Sequence, residues 1–356
     1  MKITTVGIDL AKVVFQVHGV DERGTPVVRK QLKRSEVSSY FANLQPCLIG
    51  MEACGSAHYW ARKLQEFGHT VKLMSPQFVK PYVKTNKNDI ADAEAICEAV
   101  TRPNMRYVPV KTVEQQAILS VHRARTGFVK ARTAQGNQIR GLLSEFGIVI
   151  SQGIHSIVKR IPEILEDGEN GLPGTMRNLL QRLMENMKAV DRQVDELEKQ
   201  IQVWHRENEA SRRLAQIPGV GPITASAIVA TIGKAREFKN GRQLAAWMGL
   251  VPKQNSSGGK HNLLGISKRG DTYLRTLLIH GARSVIQCVE KRPDEDNWLR
   301  KLTVRRNKNV AAVALANKNA RTVWALLAHD QTFRLDYMPK AMSAAAQPNG
   351  LSGVSN

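Results

Sequence analysis

The sequence predicts an α/β domain at the N-terminus, a helical coiled-coil middle and a mostly α C-terminal domain. Three observations carry this. Up to about residue 110, short apolar runs, two of them ending in a carboxylate, alternate with helical stretches. From Met176 to Trp204, apolar residues recur at alternating spacings of four and three. Beyond Leu214, a turn bearing two glycines separates two apolar helical stretches.

Ile3-Thr4-Thr5-Val6-Gly7-Ile8-Asp9 reads as a buried strand that stops at an acid, and Cys47-Leu48-Ile49-Gly50-Met51-Glu52 repeats the pattern. Val13 to His18 and Thr25 to Lys30 flank Asp21-Glu22-Arg23-Gly24, a hairpin signal. Ser56 to Phe67 has helical periodicity, Thr70 to Met74 is a short strand, and Asp89 to Val100 is helical with Asn88 as its N-cap. Strand, hairpin, strand, helix, strand, helix is the order expected of an RNase H-like α/β domain, assigned to residues 1–110.

Residues 111–150 read as helical and basic, with Arg123, Arg125, Lys130, Arg132 and Arg140 interleaved with apolar positions. A break containing Gly168, Gly171, Pro173 and Gly174 follows. Met176, Leu180, Leu183, Met187, Val190, Val194, Leu197, Ile201 and Trp204 then hold a period of 3.5, the geometry of a coiled-coil seam. The competing reading is an amphipathic helix packed within its own domain. These stretches form a middle region, 111–210. In the C-terminal domain, 211–335, Ile217-Pro218-Gly219-Val220-Gly221-Pro222 has the pattern of a helix-hairpin-helix, whose turn can present backbone N–H groups to a phosphate. Helices are expected over 271–289 and 310–328, and residues 336–356 read as a disordered tail.

Lys and Arg number 52 against 31 Asp and Glu, a net charge of +21 that calls for a polyanionic partner, with nucleic acid the first choice. Aromatic residues are only 5%, which argues against binding built mainly on base stacking. No apolar stretch approaches the ~20 residues of a spanning helix, and no signal peptide is evident, so the chain reads as cytosolic. Its four cysteines form no CxxC pair and fit free thiols better than zinc or disulfides.

Asp9, Glu52, Asp89 and Asp92 are the candidate metal-binding and catalytic acids. Asp89 and Asp92 are three apart on one helix and share a face. Four converging carboxylates repel unless divalent cations compensate them, and two Mg²⁺ ions can clamp the attacking and leaving oxygens of a phosphodiester. A solvated side chain or helix cap is the bland reading of each acid, least convincing for Asp9. Asn255-Ser256-Ser257-Gly258-Gly259-Lys260 is a serine loop in a basic stretch that also holds Lys253, Lys268, Arg269 and Arg275. Cations can offset charge developing on an attacked phosphate, but nothing adjacent accepts the serine proton, and such loops are often flexible turns. Ile266 to Gly270 fits a phosphate-binding turn equally well. His122 and His261 lack spaced partners and suit core or surface positions.

Taken together, Gly7-Ile8-Asp9-Leu10-Ala11-Lys12, Met51-Glu52-Ala53-Cys54-Gly55 and Lys87-Asn88-Asp89-Ile90-Ala91-Asp92-Ala93 resemble the DEDD (RuvC-like) domain of the "insertion sequence 110" family of bacterial transposases. Ile217 to Pro222, Gly249-Leu250-Val251-Pro252, Ser256-Ser257-Gly258-Gly259-Lys260 and Gly265 to Asp271 are similar to that family's C-terminal domain, most of all in its 1111 subgroup. The resemblance implies a nucleoid-associated bacterial recombinase guided by a structured noncoding RNA, a bridge or seek RNA, that pairs with target and donor DNA. It implies dimers assembling into a tetramer, the DEDD pocket of one protomer completed by the serine domain of another. Asp9, Glu52, Asp89 and Asp92 then hold Mg²⁺ (Mn²⁺ as a substitute), and the serine before glycine forms a transient phosphoserine link. Many relatives have one serine there; this chain has two. Aligning the Ser-Gly step gives Ser257, with Ser256 the runner-up. Nucleic-acid contacts are expected from Arg123, Arg125, Lys130, Arg132, Arg140, Gly219, Gly221, Lys260, Lys268 and Arg269. A Holliday-junction-type endonuclease acting by hydrolysis is the alternative, and a non-catalytic nucleic-acid-binding protein a third reading.

Overall fold

The computed structural model describes residues 2–84, 88–258, 260, 262–291 and 298–334. Lys87, Gly259, His261 and the tail 336–356 lie outside the described residues. The N-terminal strands are β1 (Thr5–Leu10), β2 (Val14–Val20), β3 (Pro26–Lys33), β4 (Leu48–Glu52), β5 (Thr70–Met74) and β6 (Tyr107–Val108). They form one mixed sheet in the order β3-β2-β1-β4-β5-β6. The β1–β4 and β4–β5 pairs are parallel, and the others antiparallel. Period-2 alternation sorts the side chains. Val6, Ile8, Ile49 and Met51 face a core closed by α1 (Val37–Ala42) and α2 (Ala57–Glu66). Gly7, Asp9, Gly50 and Glu52 therefore face the other side, which α4 (Asp89–Val100) covers. The short α3 (Pro76–Val79) completes this layer.

Two glycines set how closely α4 lies on the sheet. A Cβ on Gly7 would sit 2.2 Å from the Ala93 carbonyl oxygen, and one on Gly50 would sit 2.7 Å from Val100 Cβ. Only a bare backbone admits the helix at this depth.

The middle region is helical. α5 (Val113–Ser144) opens with a capping box between Thr112 and Gln115. It is followed by α6 (Ile154–Glu166) and α7 (Gly174–Glu207). Arg125 ion-pairs with Glu198 and Arg132 with Asp191, so α5 and α7 run antiparallel, and both pairs step by seven residues. Gln135 lies opposite Leu183, its side-chain amide donating to that carbonyl (2.6 Å). The apolar seam read from the sequence thus meets a helix of its own chain. Met176, Leu180 and Met187 are buried against α5 and α6, and Ile201 against Ile118 and Leu119. The α6 helix was not anticipated between the basic helix and the glycine break.

Beyond it, α8 (Glu209–Leu214), α9 (Pro222–Ile232), α10 (Gly241–Trp247), α11 (Thr272–Glu290), α12 (Trp298–Arg305) and α13 (Lys308–Ala328) share one core. The small hairpin β7 (Pro252–Gln254) and β8 (Leu263–Ile266) projects from it. Among the described residues no helix is long and apolar enough to cross a membrane, and all four cysteines are free.

Candidate active site

Asp9 stands near the end of β1, and Ile8 pairs with Met51, so Asp9 and Glu52 are the next residues along two neighbouring parallel strands. Asn88 caps α4 by accepting the Ala91 N–H (2.7 Å), which fixes the first turn holding Asp89 and Asp92. Carboxylate oxygens of Asp9, Asp89 and Asp92 lie within 4.8 Å of one another. Glu52 is outside that set, although it approaches from the adjacent strand. Cys54, exposed as a residue, reports the local field: desolvation of its thiol raises the pKa, and the charges of Glu52 and Asp9 raise it further. Three hard oxygen donors at this separation fit a divalent cation such as Mg²⁺ or Mn²⁺, which would relieve their mutual repulsion.

Gly7 and Gly50 are the residues that the motif reading passed over. Their role depends on what crosses the sheet above them, and the strand sequence carries no signal of that. Alternation along β1 and β4 places both on the face of the acids.

The serine loop forms the tip of the β7–β8 hairpin. Lys260 N–H donates to the Ser257 carbonyl (3.0 Å), and Gly258 takes φ +55°, which turns the chain. Ser256, Ser257 and Lys260 are all exposed. The two serines differ: Ser256 Oγ accepts from the Gln254 side-chain amide (3.0 Å), whereas the Ser257 hydroxyl has no hydrogen-bond partner among the described residues. Behind the hairpin, Gly270 takes φ +104° and packs on the Trp247 carbonyl, which presses the turn bearing Lys268 and Arg269 onto the end of α10.

The expected nucleic-acid contacts divide. Arg123 and Lys130 are exposed on α5. Arg125 and Arg132 are half-buried and tied to α7. Arg140 donates to the Ser151 (3.2 Å) and Gly153 (2.6 Å) carbonyls, holding the loop before α6. Gly219, at φ +85°, lies against the backbone of Gly281 on α11, and this packing demands a glycine irrespective of any phosphate. Gly221 is the N-cap of α9, with open space around its α-carbon.

His122 is a core residue, linking α5 to α9 and α11. Ser226 Oγ donates to the Pro222 carbonyl (2.7 Å), so it accepts from His122 Nε2–H (3.1 Å), and Nδ1 accepts from the Tyr273 hydroxyl (3.0 Å). Desolvation, reinforced by the Arg125 charge, pushes its pKa down to about 4, which keeps the ring neutral.

Residues 6–148 match a transposase model of the DEDD type named for IS110, and residues 211–298 match the transposase IS116/IS110/IS902 family. A probable family 20 transposase of Pseudomonas aeruginosa is 53% identical over 94% of this chain and 99% of its own length. The transposase of insertion sequence element IS1111A from Coxiella burnetii is 44% identical over 93% of this chain and 92% of its own. That of IS1328 from Yersinia enterocolitica is 41% identical over 93% and 98%. With acids gathered at the sheet end and both family halves matched in order, the chain belongs to the IS110/IS116/IS902 family of transposases, enzymes that cut and rejoin DNA strands.

Proposed function

We propose that this transposase is an RNA-guided recombinase in which Ser257 forms a transient phosphoserine link with the cut DNA strand, at a divalent-metal site built from Asp9, Glu52, Asp89 and Asp92. The observation that carries the reading is the meeting of Asp9, Asp89 and Asp92 carboxylates within 4.8 Å, from segments some eighty residues apart. The sheet order supports an RNase H-like domain, because β1 is flanked by an antiparallel hairpin on one side and parallel β4 and β5 on the other. The turn between α8 and α9 supports a helix-hairpin-helix. Bound Mg²⁺ supplies charge stabilisation for the phosphodiester undergoing displacement.

The chain's own groups do the rest. Asp9, Asp89 and Asp92 hold the ion, and Glu52 approaches from the next strand. The Ser257 hydroxyl, without a hydrogen-bond partner among the described residues, is available to attack phosphorus: its proton passes to solvent, the P–O bond to one deoxyribose breaks and that strand end leaves as a free hydroxyl, while Lys260 beside it offsets charge on the phosphate oxygens. The serine sits on a projecting hairpin, which suits delivery to the acids of another protomer in a dimer or tetramer. A net charge of +21 supports simultaneous binding of DNA and a structured guide RNA. Sequence choice then resides in RNA pairing.

Suicide DNA substrates test the chemistry. With guide RNA and Mg²⁺, the wild-type chain is expected to yield a covalent protein–DNA adduct that Ser256→Ala retains and Ser257→Ala loses. Asp9→Asn should lower cleavage by at least ~100-fold, the scale of losing one electrostatic stabiliser. A Ser257→Ala protein that cleaves at full rate without an adduct would establish hydrolysis by water, the endonuclease alternative.

A further inference from the structure

Between the N-terminal sheet and the C-terminal helices lies a cleft of about 1600 Å³, reaching Ala53, the neighbour of Glu52. It is too large for a small metabolite, whose pockets run to roughly 1,000 Å³. Six cations line it: Arg62, Lys72, Arg106, Lys111, Lys234 and Arg269, against two acids, Glu237 and Asp271. Of the six, the sequence had singled out only Arg269. None of them is ion-paired to a carboxylate among the described residues. Arg62 donates to the Lys111 carbonyl (2.5 Å) and to Gln116, which fixes the wall. Lys111 is half-buried, and desolvation with the Arg123 charge lowers its pKa, partly opposed by Asp271. Such a cation gains most from an anion that follows it into the cleft. Asp271 is itself committed to capping α11 through the Leu274 N–H (2.9 Å).

Aromatic rings share the walls with these charges. The Lys72 ammonium lies over one face of the Tyr107 ring (5.1 Å to its centre) and the Arg106 guanidinium over the Phe78 ring (5.8 Å), and Trp247 also lines the cleft. We infer that this cleft binds an unpaired polynucleotide strand, its phosphates on the cations and its bases against the Tyr107 and Trp247 faces. Alternating cations and flat rings are what a single strand requires, since its bases are not stacked on a complement. A duplex offers phosphates but no free base faces, and an acidic polypeptide offers charge but no ring to stack. The cleft reaches Ala53, the residue that follows Glu52 in the chain.

The inference rests on the reading that this enzyme handles DNA and RNA strands, but not on the serine. The test uses the full-length protein without divalent metal, so that binding is read without cleavage. Fluorescence anisotropy follows unpaired DNA and RNA oligonucleotides of about 20 nucleotides, and a duplex of equal length, across a salt series. Lys72→Gln/Arg106→Gln and Lys234→Gln/Arg269→Gln are each expected to reduce the single-strand salt slope by roughly 1.4, about 0.7 per phosphate contact. Tyr107→Leu should weaken single-strand binding about tenfold while leaving the duplex unchanged. The tighter of the DNA and RNA strands identifies the occupant. An unchanged single-strand slope, an equal loss for duplex, or displacement by polyglutamate at equal charge would each overturn the inference, the last in favour of an acidic polypeptide. Thermal melting of each variant confirms that it is folded. A serine that proves inert leaves this result standing, and a strand that binds elsewhere leaves the phosphoserine link standing.

Discussion

At the scale of single residues, the acids are the visible part of the site, and the glycines beneath α4 are the hidden part. Asp9, Asp89 and Asp92 were legible because an acid ending an apolar run, and two acids one turn apart, are patterns within short windows. Gly7 has no such window: its neighbours Ala93 and Cys97 come from more than eighty residues away. Gly7→Ala is therefore expected to destabilise the protein by about 2–3 kcal/mol in urea unfolding, as overpacking does. It should also lower metal-dependent cleavage disproportionately, because α4 moves off β1 and carries Asp89 and Asp92 from Asp9. Cleavage per folded molecule unchanged from wild type would show that the helix position is not critical. The preference for Ser257 over Ser256 came from aligning the Ser-Gly step with the family it resembles. The structure adds that the Gln254 amide engages Ser256, whereas the Ser257 hydroxyl has no hydrogen-bond partner among the described residues.

Among the elements, the α5–α7 pair changes what its arginines mean. Arg125 and Arg132 look like phosphate ligands in sequence, yet each faces an acid one heptad from the other's partner. Arg132→Ala is expected to lower stability by about 1 kcal/mol, less at high salt, while Arg123→Ala weakens nucleic-acid binding with little change in melting. Melting and anisotropy measured together check both. Five of the six strands of the N-terminal sheet were legible, helped by the alternation that burial imposes; the two-residue β6 was not, being too short to carry a pattern. The β7–β8 hairpin was not: its residues are almost all exposed, Leu263 and Leu264 included, so no periodic pattern marks it. α6 escaped notice because Pro162 interrupts its sequence, although Ile157, Ile161 and Ile164 line one buried face. The heptad seam was legible, but whether its partner lay within the chain depended on the return path through the glycine break.

For the molecule as a whole, His122 fastens three parts together, and its charge state is tied to folding. Its folded pKa of about 4 lies below the 6.5 of the unfolded chain. Between those values the unfolded state binds more protons, so stability is full above about pH 6.5 and falls as the pH drops toward 4. For a group this buried the loss approaches roughly 3 kcal/mol. His58, pushed to about 4 by desolvation and then by Lys111, Arg62 and Arg123, acts in the same direction. Urea midpoints at pH 7 and 4.5 should show the loss, and His122→Gln should shrink the difference while lowering stability at pH 7. An equal pH dependence in the variant would assign the effect to other groups. Neither linkage was legible, since Ser226 and Tyr273 lie more than a hundred residues from His122.

α5 runs without interruption for 32 residues. At 1.5 Å per residue it spans about 48 Å, from the edge of the sheet to the far end of the helical hairpin. A rod of that kind transmits angle as well as distance. Adding one residue near its middle would swing everything beyond by about 100°, whereas adding a full turn and matching it on α7 would restore the heading. The outer end is thus clocked to the acids, and evolution can lengthen this arm only in steps of whole turns.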